Sequence, residues 1–229
     1  MKIGILQCGH TPDEIAARYG AFSVLFERML DGHGFTFQTW NVVDMIFPDT
    51  IDQADGWLLT GSKHGAYENH AFIPLLEGFI RDTYADGRPM VGICFGHQII
   101  AQALGGRVEK FSGGWAVGRH VYHFDGRGDM AVNALHQDQV IQVPQGAKVI
   151  ASSPHCANAA LVYDNRILTV QPHPELTNSV MKDYITARRG TGTFPDALMD
   201  QAMALTDVPL NSDQMATDLA LFLKRERAF

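Results

Sequence analysis

Cysteine is scarce: Cys8, Cys94 and Cys156 are the only three in 229 residues. Three thiols cannot build the disulfide framework that staples small secreted proteins. Positive charge is also in short supply. Lys and Arg total 18 against 25 Asp and Glu, a net charge of −7. That balance argues against the basic face of a nucleic-acid-binding protein. Long apolar runs are missing. Stretches such as Pro89–Gly96 are short and broken by glycine, far from the roughly 20 residues a membrane helix needs. The opening MKIGILQCGH turns polar too soon for a secretory signal. There is no Gly-x-x-x-x-Gly-Lys-[Ser/Thr] loop, no His-Glu-x-x-His and no Cys-x-x-Cys. The expectation is a cytoplasmic, reduced chain that works without nucleic acid, membrane, metal or organic cofactor.

What is present is a large apolar share. Hydrophobic residues make up 46% of the chain, enough for one substantial core, and residues 1–229 are expected to form a single domain. KIGILQ reads as a buried strand, FTFQTW and GWLLT read as two more strands, and PMVGI reads as a further buried strand. Between the first two, Thr11 and Pro12 look like a helix start. Ile15, Tyr19, Phe22, Phe26, Met29 and Leu30 then form one apolar helical face ending at Gly32. A second helix is expected over 72–86 and a third from the end of PMVGI to Leu104. Alternating strands and helices imply an α/β fold, a mostly parallel sheet with helices on both faces. From about 107 to 171 the pattern changes to short β-rich runs, GRHVYHF, DMAVNAL, NAALVYD and RILTVQ. These predict a small antiparallel addition and a return to the main sheet. After Glu175 the chain reads as helical, and the basic run Lys224–Arg227 reads as a solvated helix end.

The most informative tract is Met90-Val-Gly-Ile-Cys-Phe-Gly-His-Gln98. Cys94 stands between a strand and a helix with Gly92 and Gly96 on either side, the form of a nucleophile elbow. Glycine permits the close backbone approach that such a turn needs. The helix that follows aims its N-terminal N–H groups at the sulfur, which favours the thiolate. Cys8 and Cys156 lack this setting and read as structural. A thiol nucleophile also needs a base with its own acceptor. The tract Val170-Gln-Pro-His-Pro-Glu175 supplies one: the prolines hold the segment extended, so His173 and Glu175, two apart, share a face. His97, on the elbow helix, reads as a packing residue. His10, His64, His120, His123 and His155 show no partner in the sequence.

Gly-Ile-Cys-Phe-Gly-His-Gln followed by Gln-Pro-His-Pro-Glu resembles the class I, triad-type glutamine amidotransferases. The likeness is to the glutaminase domain of GMP synthetases and to stand-alone relatives that include γ-glutamyl peptidases. It covers about residues 1–180, leaving a helical extension over about 181–229. It implies a flavodoxin-like sheet, a Cys94–His173–Glu175 triad and a small-molecule γ-glutamyl substrate. It also implies an oxyanion hole from the backbone of Phe95 and of Gly61-Ser62, with Gln98, His136, Gln137 and Asp138 as substrate-binding residues.

Two departures stand out. Thr60-Gly61-Ser62-Lys63-His64-Gly65-Ala66-Tyr67 replaces the usual Ser-Gly-Gly-Pro, so Lys63, His64 and Tyr67 can line an entrance or lie in solvent. Gln137 stands where GMP synthetase domains carry Gly. The Ser-Gly-Gly-x-Asp-Ser loop of a synthetase half is absent. Three readings stay open on the sequence: a γ-glutamyl amide hydrolase, a glutaminase subunit feeding a separate synthetase, and a catalytically silent module.

Overall fold

Eleven strands and seven helices are described by a computed structural model that covers residues 1–229. The first strand, β1 (Lys2–Leu6), is followed by α1 (Asp13–Tyr19) and α2 (Phe22–Met29). The periodicity predicted one helix here. The chain breaks it at Gly20, whose φ of +90° lies where side chains are disfavoured and whose N–H closes on the Ala16 carbonyl at 2.8 Å. Pro12, not Thr11, occupies the N-cap position, and its carbonyl accepts from Ile15 and Ala16.

β2 (Thr36–Trp40), β3 (Gly56–Leu59) and α3 (Phe72–Asp86) follow, then β4 (Met90–Ile93) and α4 (Phe95–Ala103). Next come β5 (Arg107–Lys110), β6 (Ala116–Phe124), β7 (Gly128–His136) and β8 (Asp138–Gln142). β9 (Ala147–Ser152), β10 (Ala160–Tyr163) and β11 (Ile167–Val170) complete the strands, and α5 (Asn178–Arg188), α6 (Asp196–Ala204) and α7 (Ser212–Leu223) end the chain.

The main sheet has nine strands in the order β2-β1-β3-β4-β11-β10-β9-β6-β7. The first five are parallel and the last four antiparallel. A separate antiparallel pair joins β5 to β8. This is the flavodoxin-like α/β fold that the sequence predicts. Its antiparallel part is made of two pieces. β5, β8 and β9 were not legible, because RVEK and DQVIQ are polar runs with no clean alternation.

Side chains lock this order. A Cβ at Gly4 would sit 2.1 Å from the Trp57 ring, so glycine in β1 makes room for a fully buried indole on β3. Trp57 packs against Trp40 at 5.4 Å and edge-on against Phe79 at 4.8 Å, contacts each worth about 1 kcal/mol beyond area burial. The C-terminal helices join the same core. Leu219 and Phe222 share a cluster with Ile3 and Ile5. The basic run after α7 is not simply solvated: Arg227 pairs with the buried Asp218, Arg225 donates to the Gly87 carbonyl, and Lys224 lies over Phe35. No helix is long and apolar enough to cross a membrane.

Candidate active site

In an open α/β sheet, ligands collect outside the carboxyl ends of the parallel strands, where the strand order reverses. Here β1 lies between β2 and β3, and the ends of β3, β4 and β11 converge beside it. Register brings distant residues together. Ile93 pairs with Val170, and the Cys94 N–H donates to the Val170 carbonyl at 2.9 Å. Cys94 and the His173 tract therefore leave the sheet side by side. Gly92 pairs with Leu59, which sets Thr60-Gly61-Ser62 on the other flank.

Cys94 has φ 53° and ψ −105°, a strained conformation for a residue with a Cβ. The flanking glycines are needed for space. A Cβ on Gly92 would meet the Gly96 carbonyl at 2.6 Å, and one on Gly96 would meet the Leu59 carbonyl at 2.4 Å. The elbow is thus pressed onto β3, and α4 starts immediately beyond the sulfur. Its first N–H groups have no intrahelical partner and face that end.

His173 and Glu175 are both buried, and His173 Nδ1 donates to Glu175 Oε1 at 2.6 Å. Burial alone would lower the His173 pKa. The Glu175 carboxylate and the adjacent Cys94 sulfur outweigh it and hold the imidazole well above its ordinary value. The protonated imidazolium is the state of His173 that this arrangement favours. The other two thiols differ: burial pushes the Cys156 thiol up to about 12 and Cys8 higher still, so neither is a ready nucleophile.

A cavity of about 740 Å³ opens over this pair, and Cys94, His173, Ser62, Gln98, His136, Gln137 and Asp138 all line it. Gly61 borders it closely, since a Cβ there would lie 2.9 Å from His173 Cε1 and 3.8 Å from Cys94 Cβ. Gly61→Ala is therefore expected to leave the fold intact and lower kcat/KM at least about tenfold by displacing the imidazole. Steady-state kinetics beside a melting curve checks it. Phe95 is fully buried, so only its backbone can serve the site. Gln98 spends its amide nitrogen inside the protein, donating to the Asp138 carbonyl at 2.8 Å and to Gln171 Oε1 at 3.1 Å. Gln137 turns its nitrogen to the Phe111 carbonyl at 3.2 Å. Burial, then the neighbouring His173, lowers the His136 pKa to about 3, so that ring is neutral. His97 is buried and hydrogen-bonded to Thr169 on β11 at 2.7 Å, tying α4 to the sheet. His10 and His123, unpartnered in the sequence, pair with Asp44 and Asp129, and His155 meets the Gly114 carbonyl.

Several supporting residues escaped the sequence reading. Thr60 Oγ1 accepts from the Cys8 N–H and donates to the Gly61 carbonyl at 2.9 Å. In a trans peptide the N–H points opposite the carbonyl, so this bond turns the Ser62 N–H away from Thr60. Asn133, buried inside β7, clamps the histidine segment: its carbonyl accepts from His173 N–H at 2.7 Å and its Nδ2 donates to the Leu176 carbonyl at 2.7 Å. A polar residue inside the apolar run DMAVNAL was the available signal. Tyr184 stands close to Glu175; burial, then that carboxylate, raises its pKa.

Residues 41–190 match the family model for class-I glutamine amidotransferases. The chain is 28% identical to a glutamine amidotransferase-like protein of Schizosaccharomyces pombe, over 96% of this chain and 98% of that one. It is 28% identical to gamma-glutamyl peptidase 4 of Arabidopsis thaliana, over 76% of each chain. It is 36% identical to a glutamine-hydrolysing GMP synthase of Leifsonia xyli, over 61% of this chain and 31% of that one. Among solved structures, a glutamine amidotransferase of Methylobacillus flagellatus superposes with a TM-score of 0.76 at 20% identity, covering 100% of this chain and 95% of that one.

Proposed function

The chain belongs to the class-I glutamine amidotransferase family, and from that premise we propose that it hydrolyses γ-glutamyl amides with Cys94 as nucleophile. The observation that carries this reading is the strained, exposed-to-cavity elbow at Cys94 facing a buried His173–Glu175 pair. In the proposed reaction the Cys94 thiolate attacks the γ-carboxamide carbon. The developing oxyanion is met by the N–H groups of Phe95 and Ser62, with Gly61 leaving room and Thr60 fixing the peptide. His173 gives its proton to the leaving nitrogen as the C–N bond breaks, which leaves a γ-glutamyl thioester. It then takes a proton from water, which attacks the thioester and returns glutamate and the free thiol. Glu175 keeps the imidazole oriented and cationic when required. Gln98, His136, Gln137 and Asp138 form the wall on which the glutamyl end is expected to rest.

The size of the cavity supports a substrate larger than glutamine. At about 740 Å³ it falls in the range that encloses drug-sized ligands, and glutamine fills only part of it. Two relatives support opposite details. The gamma-glutamyl peptidase similarity supports a γ-glutamyl peptide or amide. The GMP synthase similarity spans only 31% of that longer protein, which supports a second reading in which a separate synthetase takes up the ammonia. We read the whole chain as one domain, because α7 shares its core cluster with β1.

The test is glutamate release by the purified protein from glutamine and from a panel of γ-glutamyl amides and peptides. The hydrolase reading expects turnover of a larger amide to exceed that of glutamine. Turnover of glutamine alone, rising when a synthetase is added, would establish the second reading instead.

A further inference from the structure

At the rim of the same cavity three side chains converge that the reaction does not use. His64, Glu68 and His70 each offer one donor atom, and all three atoms lie within 4.8 Å of one another. His64 Nδ1 is 3.6 Å from Glu68 Oε2, and His70 Nε2 is 2.7 Å from the same oxygen. We infer that His64, Glu68 and His70 form a binding site for a divalent transition ion of the Zn²⁺ class, set in the wall of the substrate cavity.

The donor set fits that ion. Two imidazoles and a carboxylate, with a further position left open, is a zinc pattern. Tetrahedral Zn²⁺ with ligand bonds of about 2.0–2.1 Å holds its donor atoms about 3.3 Å apart. The observed spacings straddle that value, so small side-chain rotations complete the site. The loop is also built to hold it. The Glu68 N–H donates to the Gly65 carbonyl at 3.0 Å and the His70 N–H to the Glu68 carbonyl at 3.1 Å. The two imidazole rings pack 4.0 Å apart, and both lie about 6 Å from the Phe72 ring.

Glu68 Oε2 faces a nitrogen of each imidazole, so the carboxylate and both rings converge. His64 and Glu68 belong to the cavity lining together with Cys94, so a bound ion sits where substrate enters. The sequence shows only His-x₃-Glu-x-His, which matches no familiar ligand spacing, and the fold of the loop brings the donors together.

Titration of the full chain with Co²⁺, followed by visible absorption, tests the site independently of any turnover. The expected result is one Co²⁺ per chain with tetrahedral-type bands, displaced by Zn²⁺ and unchanged by Cys94→Ala. His70→Ala and Glu68→Gln, both on a partly exposed loop, should each weaken binding at least about tenfold with an unchanged far-UV spectrum. Absence of saturable binding, or binding unaffected by His70→Ala, would overturn the inference. Loss of binding in Cys94→Ala would also overturn it, by placing the ion on the nucleophile.

Discussion

Cys94→Gly and Cys94→Ala are both expected to lower glutamate release by at least about 10³-fold, yet to differ in stability in an unusual direction. Loss of the sulfur removes the attacking atom, and no neighbouring group can replace it, so the activity loss is large for either variant. The stability order follows from the backbone. At an ordinary position alanine is more stable than glycine by about 0.5–1 kcal/mol. At φ 53° and ψ −105° a Cβ costs about 1–3 kcal/mol that glycine does not. Glycine should therefore be the more stable of the pair by about 1 kcal/mol, a shift of about 2–4 °C in Tm for a chain of this size. Calorimetry on the two variants measures it. Alanine equal to or above glycine would mean that the elbow at Cys94 is relaxed.

Glu175→Gln is expected to reduce kcat/KM about 10²-fold or more and to move the alkaline limb of its pH profile to lower pH. The sign follows from the cause. Burial works to deprotonate His173, and the Glu175 carboxylate is the first group that opposes it. Glutamine keeps the size and a hydrogen-bonding oxygen but loses the charge. The His173 pKa then falls, and the imidazolium is lost at a lower pH than in the parent enzyme. The amide also lets the ring adopt the wrong tautomer. A drop in kcat/KM with an unmoved alkaline limb would mean that Glu175 acts only through packing. pH–rate profiles of kcat/KM for parent and variant separate the two.

The chemistry was more legible in the sequence than its supports were. Gly92-x-Cys94-x-Gly96 announces itself because an elbow needs those glycines, and the structure shows the carbonyls of Gly96 and Leu59 where side chains would collide. His173 and Glu175 were legible as a pair two residues apart, but they meet on a turn, closed by the Leu176 N–H on the His173 carbonyl at 3.3 Å, and not on the extended segment that the two prolines suggest. The parallel strands were legible from short apolar runs, and all but the edge strand β2 are buried. Thr60 and Asn133 were not, because their roles depend on which carbonyl the folded chain sets beside them. Nor was the break at Gly20, since the apolar spacing from Ile15 to Leu30 continues across it. The polar strands β5 and β8 carry no periodicity to read. The His64–Glu68–His70 cluster depends on a loop conformation that propensity does not encode.

The proposed reaction turns on Cys94 carrying the γ-glutamyl group through a thioester. Acid-quenched turnover of a γ-glutamyl amide, followed by peptide mass spectrometry, tests it most directly. A single γ-glutamyl adduct is expected on the peptide containing Cys94, labile to hydroxylamine and absent from Cys94→Ala. Undiminished glutamate release by Cys94→Ala, or an adduct on Cys8 or Cys156 in place of Cys94, would contradict it.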